Sequence, residues 1–93
     1  MNATAIPRLA RGCRLQEDPA QGWVILIPEG VVRLSGPGPR ILQCCDGSRN
    51  FADIVRELHG EFASADLARV ESETGAFLDR LAARRIVVFE SPE

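Results

Sequence analysis

The stretch WVILIPEGVVRLSG, residues 23–36, constrains this chain more than any other. Five apolar residues, Trp23 to Ile27, meet Pro28-Glu29-Gly30, and the chain then returns through Val31, Val32 and Leu34. A short apolar run bounded by turn residues is a buried strand, and a second run just after Pro and Gly makes a hairpin. Pro28 presets φ for the first central position of a type I turn, and Glu29 fits the second. Gly30 supplies the left-handed residue of a G1 bulge, so a three-residue loop is predicted. The returning strand runs from Val31 to Ser35, with Val32 and Leu34 on one face and Val31, Arg33 and Ser35 on the other. Each edge of such a hairpin carries unpaired N–H and C=O groups that something must cover or blunt.

The rest of the chain supplies the candidates for that cover. Residues 1–5 read as a loose tail. From Ile6 to Gln16 the pattern alternates, with Leu9, Cys13 and Leu15 on one face, and predicts a first strand. The loop EDPAQG, residues 17–22, leads to the hairpin, whose arms are the second and third strands. GPGPR, residues 36–40, ends the sheet region and places Pro39 in the first turn of a helix. That helix carries Ile41, Leu42 and Cys45 and stops at Gly47 as its C′ residue. Asn50 caps a second helix, with Asp53 three residues on and a stripe of Phe51, Ile54, Val55, Leu58 and Phe62. Gly60 ends or weakens it. Ser64 or Asp66 caps a third, with Leu67, Val70, Thr74, Phe77, Leu78 and Leu81 at helical spacing. It closes near Arg84-Arg85, where cations suit the helix dipole. Ile86 to Phe89 is a short final strand or an extended cap. A small antiparallel sheet must bury one face, and the helices are the only partner available. The expected fold is therefore α+β and resembles a winged helix-turn-helix: a three-stranded antiparallel sheet followed by three helices, as one domain over residues 6–89 with a tail at 90–93.

Length and charge exclude several functions. The chain has 93 residues, enough for one domain with a modest core. The five-residue apolar run is far short of a membrane span, and the N-terminal stretch has no apolar core of the kind a signal peptide needs. The three cysteines, Cys13, Cys44 and Cys45, are odd in number and form no C-x-x-C pair, which points to a reduced, cytoplasmic protein. They read as small buried hydrophobes, and no ligand spacing for a metal is present. His59 is the only histidine. Glu57 and His59 stand two residues apart and so do not share a helix face, which leaves no base and nucleophile together. No catalytic, cofactor-binding or metal-binding residues are assigned, and the chain is expected not to be an enzyme. The third helix region, Asp66 to Arg85, balances Asp66, Glu71, Glu73 and Asp79 against Arg69, Arg80, Arg84 and Arg85. A nucleic-acid reader needs clustered positive charge instead.

The two outer strands differ as edges. The first carries Pro7, Arg8, Arg11, Gly12 and Arg14, which blunt it; the third carries one Arg and no Pro, and is open. An added peptide strand is the natural cover. Five residues offer about 17 Å of edge. Four or five main-chain hydrogen bonds at ~0.5–1.5 kcal/mol each yield only a few kcal/mol, whereas micromolar binding needs ~8 kcal/mol. Side chains must supply the difference. Phe77 on the third helix offers an apolar floor, and Glu73, Arg80 and Arg84 offer charged rims. The expected peptide-binding residues are Val31, Val32, Arg33, Leu34, Glu73, Phe77, Arg80 and Arg84.

PEGVVRLSG at 28–36, ILQCCDGSRNFADIV at 41–55 and FLDRL at 77–81 together resemble the PqqD family of small pyrroloquinoline quinone (PQQ) biosynthesis proteins. The likeness covers about residues 7–88, and its most specific parts are the Pro-Glu-Gly turn and the Cys-Asp-Gly after the first helix. It implies a cytoplasmic, non-catalytic peptide chaperone without a cofactor. Such a protein binds the precursor peptide PqqA and presents it to the radical SAM enzyme PqqE. It also implies the RiPP recognition element fold, in which the leader peptide adds a strand beside the third strand and against the third helix. Glu73 and Thr74 stand where the family often has Asp-Val, which keeps the acid and trades a methyl for a hydroxyl in the groove. The alternatives are a winged-helix nucleic-acid-binding protein and a protein that binds a quinone or intermediate of the same pathway. The apolar Ile86–Phe89 segment can pack locally or pair with a second copy, so a monomer or a weak homodimer is expected.

Overall fold

The computed structural model describes residues 2–62 and 65–90. In chain order the elements are β1 (Ile6–Leu9), β2 (Arg14–Asp18), β3 (Gly22–Ile27), β4 (Gly30–Arg33), α1 (Gly38–Gln43), α2 (Phe51–Glu61), α3 (Leu67–Ala83) and β5 (Val87–Glu90). They form a three-stranded antiparallel sheet in the order β2-β3-β4 and a separate two-stranded ribbon of β1 with β5. The α+β class and the three helices match the sequence reading; the single three-stranded sheet does not.

The predicted first strand is two strands. Gly12 takes φ 89°, and the Cys13 amide donates to the Ala10 carbonyl at 3.0 Å, so the chain turns between Leu9 and Arg14. The period-two pattern runs through this turn because Leu9, Cys13 and Leu15 all still pack on the core. Pattern alone therefore could not show the break. β1 pairs with β5 in its own chain, Leu9 opposite Val87 and Ile6 opposite Glu90. The Ile86–Phe89 segment thus finds a local partner, and the Ala10 amide donates to the Ile86 carbonyl at 2.8 Å. β2 begins later than expected and runs into EDPAQG. There the Asp18 carboxylate accepts from the Ala20 and Gln21 amides at 2.8 and 3.0 Å and turns the chain into β3.

The hairpin forms where predicted, with a different loop. Ile27 faces Gly30, Leu26 faces Val31, Ile25 faces Val32 and Val24 faces Arg33. The loop is two residues, Pro28-Glu29, and no G1 bulge is present. The bulge would have set Ile25 opposite Arg33. Opposite residues share a face, and Ile25, unlike Val24, belongs to the core cluster packed with the helices, so that register would drive a guanidinium into the core. Gly30 is still required, because its φ is 153°, a conformation L side chains rarely adopt.

The starts of α2 and α3 carry side-chain caps, and α1 begins at Pro37 without one. Asn50 Oδ1 accepts from the Asp53 amide at 2.8 Å, while the carbonyls of Ala5 and Ala3 accept from Phe51 and Ala52 at 2.8 and 3.0 Å. The segment read as a loose tail therefore satisfies the free amides at the start of α2. Asp66 caps α3, accepting from the Arg69 amide at 2.8 Å; Ser64 lies outside the described residues. α1 stops at Cys44, and Gly47 (φ 85°) sits in the turn beyond it and is not the helix cap. The helix is short because Cys44 and Cys45 must both stay buried as the chain turns back toward α2. α2 runs through Gly60 to Glu61. α3 closes with Ile86 donating to Leu81 at 2.9 Å and Arg85 to Ala82 at 2.9 Å, a Schellman motif whose left-handed position holds Arg85, φ 62°.

The core lies between the inner face of the three-stranded sheet and the helices. Ile25, Ile54, Leu58 and Leu78 are its largest fully buried side chains, and each contributes on the order of 1.5–3 kcal/mol. Gly75 of α3 faces the Phe51 ring of α2, where an added Cβ would make an ordinary contact at 3.5 Å.

Two substitutions test the backbone assignments. Gly30→Val should cost on the order of 1–3 kcal/mol, and a denaturant melt equal to the parent's would exclude the φ assigned there. Arg85→Gly should leave stability unchanged or raise it by up to about 1 kcal/mol, because relief at a left-handed position outweighs the added freedom of the unfolded chain. A lowered melting midpoint would contradict the Schellman closure.

Candidate functional site: a groove beside an open strand edge

The site begins with hydrogen-bond alternation in β4. In an antiparallel ladder, successive residues turn their N–H and C=O alternately toward and away from the partner. The Leu34 amide donates to the Trp23 carbonyl at 3.0 Å, which places Leu34 among the residues bonded to β3. Counting back by two, Val32 and Gly30 also face β3. Val31 and Arg33 therefore direct their main-chain groups away from the sheet. Among the described residues no strand pairs with that side of β4. Side chains follow the same period. Val32 and Leu34 turn to the core, Val31 is 50% exposed, and Arg33 lies in solvent.

The opposite edge is β2. Pro7 and Arg8, expected to guard it, belong instead to the β1–β5 ribbon. β2 carries Arg14, Glu17 and Asp18, and such charge blunts an edge. β4 is thus unpaired on its outer side among the described residues, and the other edge is charged, with Arg14 the expected guard that remains and Glu17 and Asp18 added to it.

Beside the open edge lies a groove of about 930 Å³, between residues 33–41 and one face of α3. Leu34, Ile41, Leu58, Val70, Thr74 and Phe77 line its apolar part, and Arg33, Arg40, Arg69, Glu73 and Arg80 its polar part. Phe77 is half-buried, and its ring lies against the first turn of α1. A Cβ on Gly38 would stand 3.2 Å from Phe77 Cε1 and Cζ, a tight contact that the ring would have to ease by a few tenths of an ångström. Arg80 places its guanidinium carbon 6.0 Å from the Phe77 ring centre, a cation–π contact.

Two of the arginines are committed to carboxylates. Arg69 Nε donates to Glu73 Oε2 at 3.0 Å. Arg40 grips Glu61 through two nitrogens, the Nε bond being 2.8 Å, and also reaches Glu57 at 3.4 Å and the Cys44 sulfur at 3.2 Å. The hydrogen bond to Arg40 holds the Glu61 carboxyl below the usual range, and the same bond raises Arg40. This cluster fastens α1 to α2 and so fixes the mouth of the groove.

Of the eight residues predicted for peptide binding, the structure gathers Arg33, Leu34, Glu73, Phe77 and Arg80 around one groove. Val31 and Val32 stand on the same strand outside the groove wall, and Arg84 caps α3 beyond it. Sequence reasoning missed Gly38, Arg40, Arg69 and Val70. The Arg69–Glu73 pair was readable at i,i+4 spacing. Arg40 had no local signal, because its acidic partners lie 17 and 21 residues away.

The groove offers hydrogen bonding and apolar contact rather than covalent chemistry. Among the described residues the one carboxylate lining it, Glu73, is held by Arg69. Cys44 and Cys45 are buried, and burial pushes the Cys45 thiol up to about 12, so it stays protonated at neutral pH. Burial also raises Cys44, with Arg40 and Arg49 pulling the other way. Among the described residues no three His, Cys, Asp or Glu side chains converge as metal ligands, and no helix is long and apolar enough to cross a membrane.

This architecture recurs in known proteins. The solution structure of the PqqD truncation of Methylobacterium extorquens PqqCD, described as a functional, stand-alone RiPP recognition element, superposes with a TM-score of 0.80 at 29% identity, over 95% of this chain and 94% of that one. The PqqA binding protein of Xanthomonas axonopodis pv. citri (strain 306) is 40% identical over 82 residues, 87% of this chain and 88% of that protein. That of Azotobacter vinelandii is 41% identical over 75 residues, covering 80% and 79%. The family model for coenzyme PQQ synthesis protein D matches residues 22–87, from the start of β3 into β5, and with it the hairpin, the groove and α3. This chain belongs to the PqqD family.

Proposed function

We propose that this protein is a non-catalytic peptide chaperone of PQQ biosynthesis, acting in the cytoplasm. It takes up the precursor peptide PqqA as an added strand along β4, packed against α3, and presents it to the radical SAM enzyme PqqE. One observation carries this reading: Val31 and Arg33 turn their main-chain groups outward on an unpaired edge that runs directly into an apolar groove. Its relatives are named as PqqA binding proteins, and its structural neighbour as a recognition element for ribosomally made peptides.

In this reading the two halves of the site divide the work. Main-chain bonds at Val31 and Arg33 set the peptide's register, and Val32 braces the strand from the core side. The few kcal/mol those bonds provide fall short of micromolar binding. Burial of peptide side chains on Leu34 and Phe77 makes up the difference at about 25 cal/mol per Å². Glu73 and Arg80 form the rim, and Arg84 lies where a longer peptide would leave the groove. The helices act as the body of a winged helix-turn-helix whose hairpin wing has been turned to peptide binding. Nucleic-acid binding by α3 is the weaker reading, because Glu71, Glu73 and Asp79 offset its arginines and Arg69 is tied to Glu73.

Proline placed on β4 separates the two sides of the strand. Val32→Pro removes an amide bonded to β3 and should destabilise the fold by ~3 kcal/mol or more. Arg33→Pro removes an outward amide, should fold normally, and should weaken PqqA binding by about tenfold. Circular dichroism and a peptide titration read both effects. An Arg33→Pro chain that folds and binds like the parent would place the peptide elsewhere. Incubation of the protein alone with PqqA, followed by mass spectrometry, should show an unchanged peptide, and any new covalent product would refute the non-catalytic reading.

A further inference from the structure

We infer that the strand this groove accepts alternates acidic and apolar residues, with a carboxylate directly opposite Arg33 and apolar side chains on either side of it turned onto Leu34 and Phe77. This rests on the strand-addition reading above and specifies its ligand.

The charge distribution leads to it. The chain as a whole carries a net charge of −2, yet the groove is lined by four arginines against one glutamate. Arg69 and Arg40 are already neutralised by Glu73 and by Glu61 with Glu57. Among the described residues, Arg33 and Arg80 have no carboxylate within 4.0 Å. Arg80 is held over the Phe77 ring at the helix side of the groove. Arg33 stands at the strand side, at a position whose main-chain groups point to the added strand.

Geometry then sets the pattern. A residue hydrogen-bonded to Arg33 from a new antiparallel neighbour lies about 5.5 Å away, Cα to Cα, with its side chain on the same solvent face. Opposite charges in that position attract and like charges repel. The residues before and after it point to the other face, where Leu34 and Phe77 form the apolar wall. An acid between two apolar residues therefore satisfies both faces at once. A second copy paired through its own β4 does not supply that pattern, because Gly30–Arg33 contains no acid.

The test uses PqqA as the probe, with each of its acidic residues changed in turn to Lys, titrated against the parent chain and against Arg33→Glu. Arg33 is exposed, so Arg33→Glu should keep the parent's melting curve. One peptide variant should bind the parent about tenfold more weakly and recover most of that loss on Arg33→Glu. If every variant binds the parent within about twofold, the acidic pattern is wrong. If a variant weakens without recovery on Arg33→Glu, Arg33 is not the partner and the inference also falls. The Arg33→Pro chain keeps the two readings apart. Weak binding there with uniformly tolerant peptides leaves strand addition standing and removes only the acid, whereas parent-like binding there removes strand addition itself.

Discussion

The register of the β3–β4 hairpin is the constraint on which the rest of the site depends. Ile25 lies in the core cluster packed with the helices, which Val24 does not join, and residues opposite one another across a ladder share a face, so the partner of Ile25 must be apolar. Val32 meets that demand and Arg33 does not. Once Val32 faces Ile25, period two places Leu34 toward the core and Arg33 in solvent. The hydrogen-bond alternation then turns the amides of Val31 and Arg33 outward. A slip of one residue would invert all of this together. Burial of a single isoleucine thus decides both the loop length and the side of the strand that is left free.

An open edge alone is a liability, and what makes this one a candidate site is its surroundings. Gly38 brings the first turn of α1 within contact distance of Phe77, and Leu34 lies on the same wall. Arg40 ties α1 to Glu57 and Glu61 on α2, so the groove mouth is held by ion pairs rather than by an extended loop. These pairs are partly exposed and contribute little to global stability. Their effect is positional, in keeping one wall of the groove at a set distance from α3. The β2 edge is charged, and β4 is the edge that borders the groove.

The chemistry of the buried groups agrees with a holding role. Cys44 and Cys45 sit under α1 with raised thiol pKa values, which keeps them as compact apolar packing. Among the described residues the one carboxylate lining the groove is engaged by a neighbouring arginine.

Much of this was legible in the sequence because it is local. The hairpin arms, the Asn50 and Asp66 caps, the α2 and α3 stripes and the alternating faces of β4 all follow from spacing of a few residues and are present, except that Phe62 and Leu67, read as stripe members, are exposed. The pairing of Phe77 with β4 followed from the need to cover an edge and from the family likeness. Tertiary structure decided what depended on distant partners. The strand read from Ile6 to Gln16 breaks at Gly12 because its first part finds β5 nearly 80 residues later, a pairing no local pattern reports. The predicted G1 bulge gave way to a two-residue loop because Ile25 needed Val32 opposite it. Arg40 acquired its role only when α2 brought Glu57 and Glu61 beside it. Periodicity and capping act within a turn or two of chain and are written there, whereas register and ion pairing are settled by which surfaces the fold presses together.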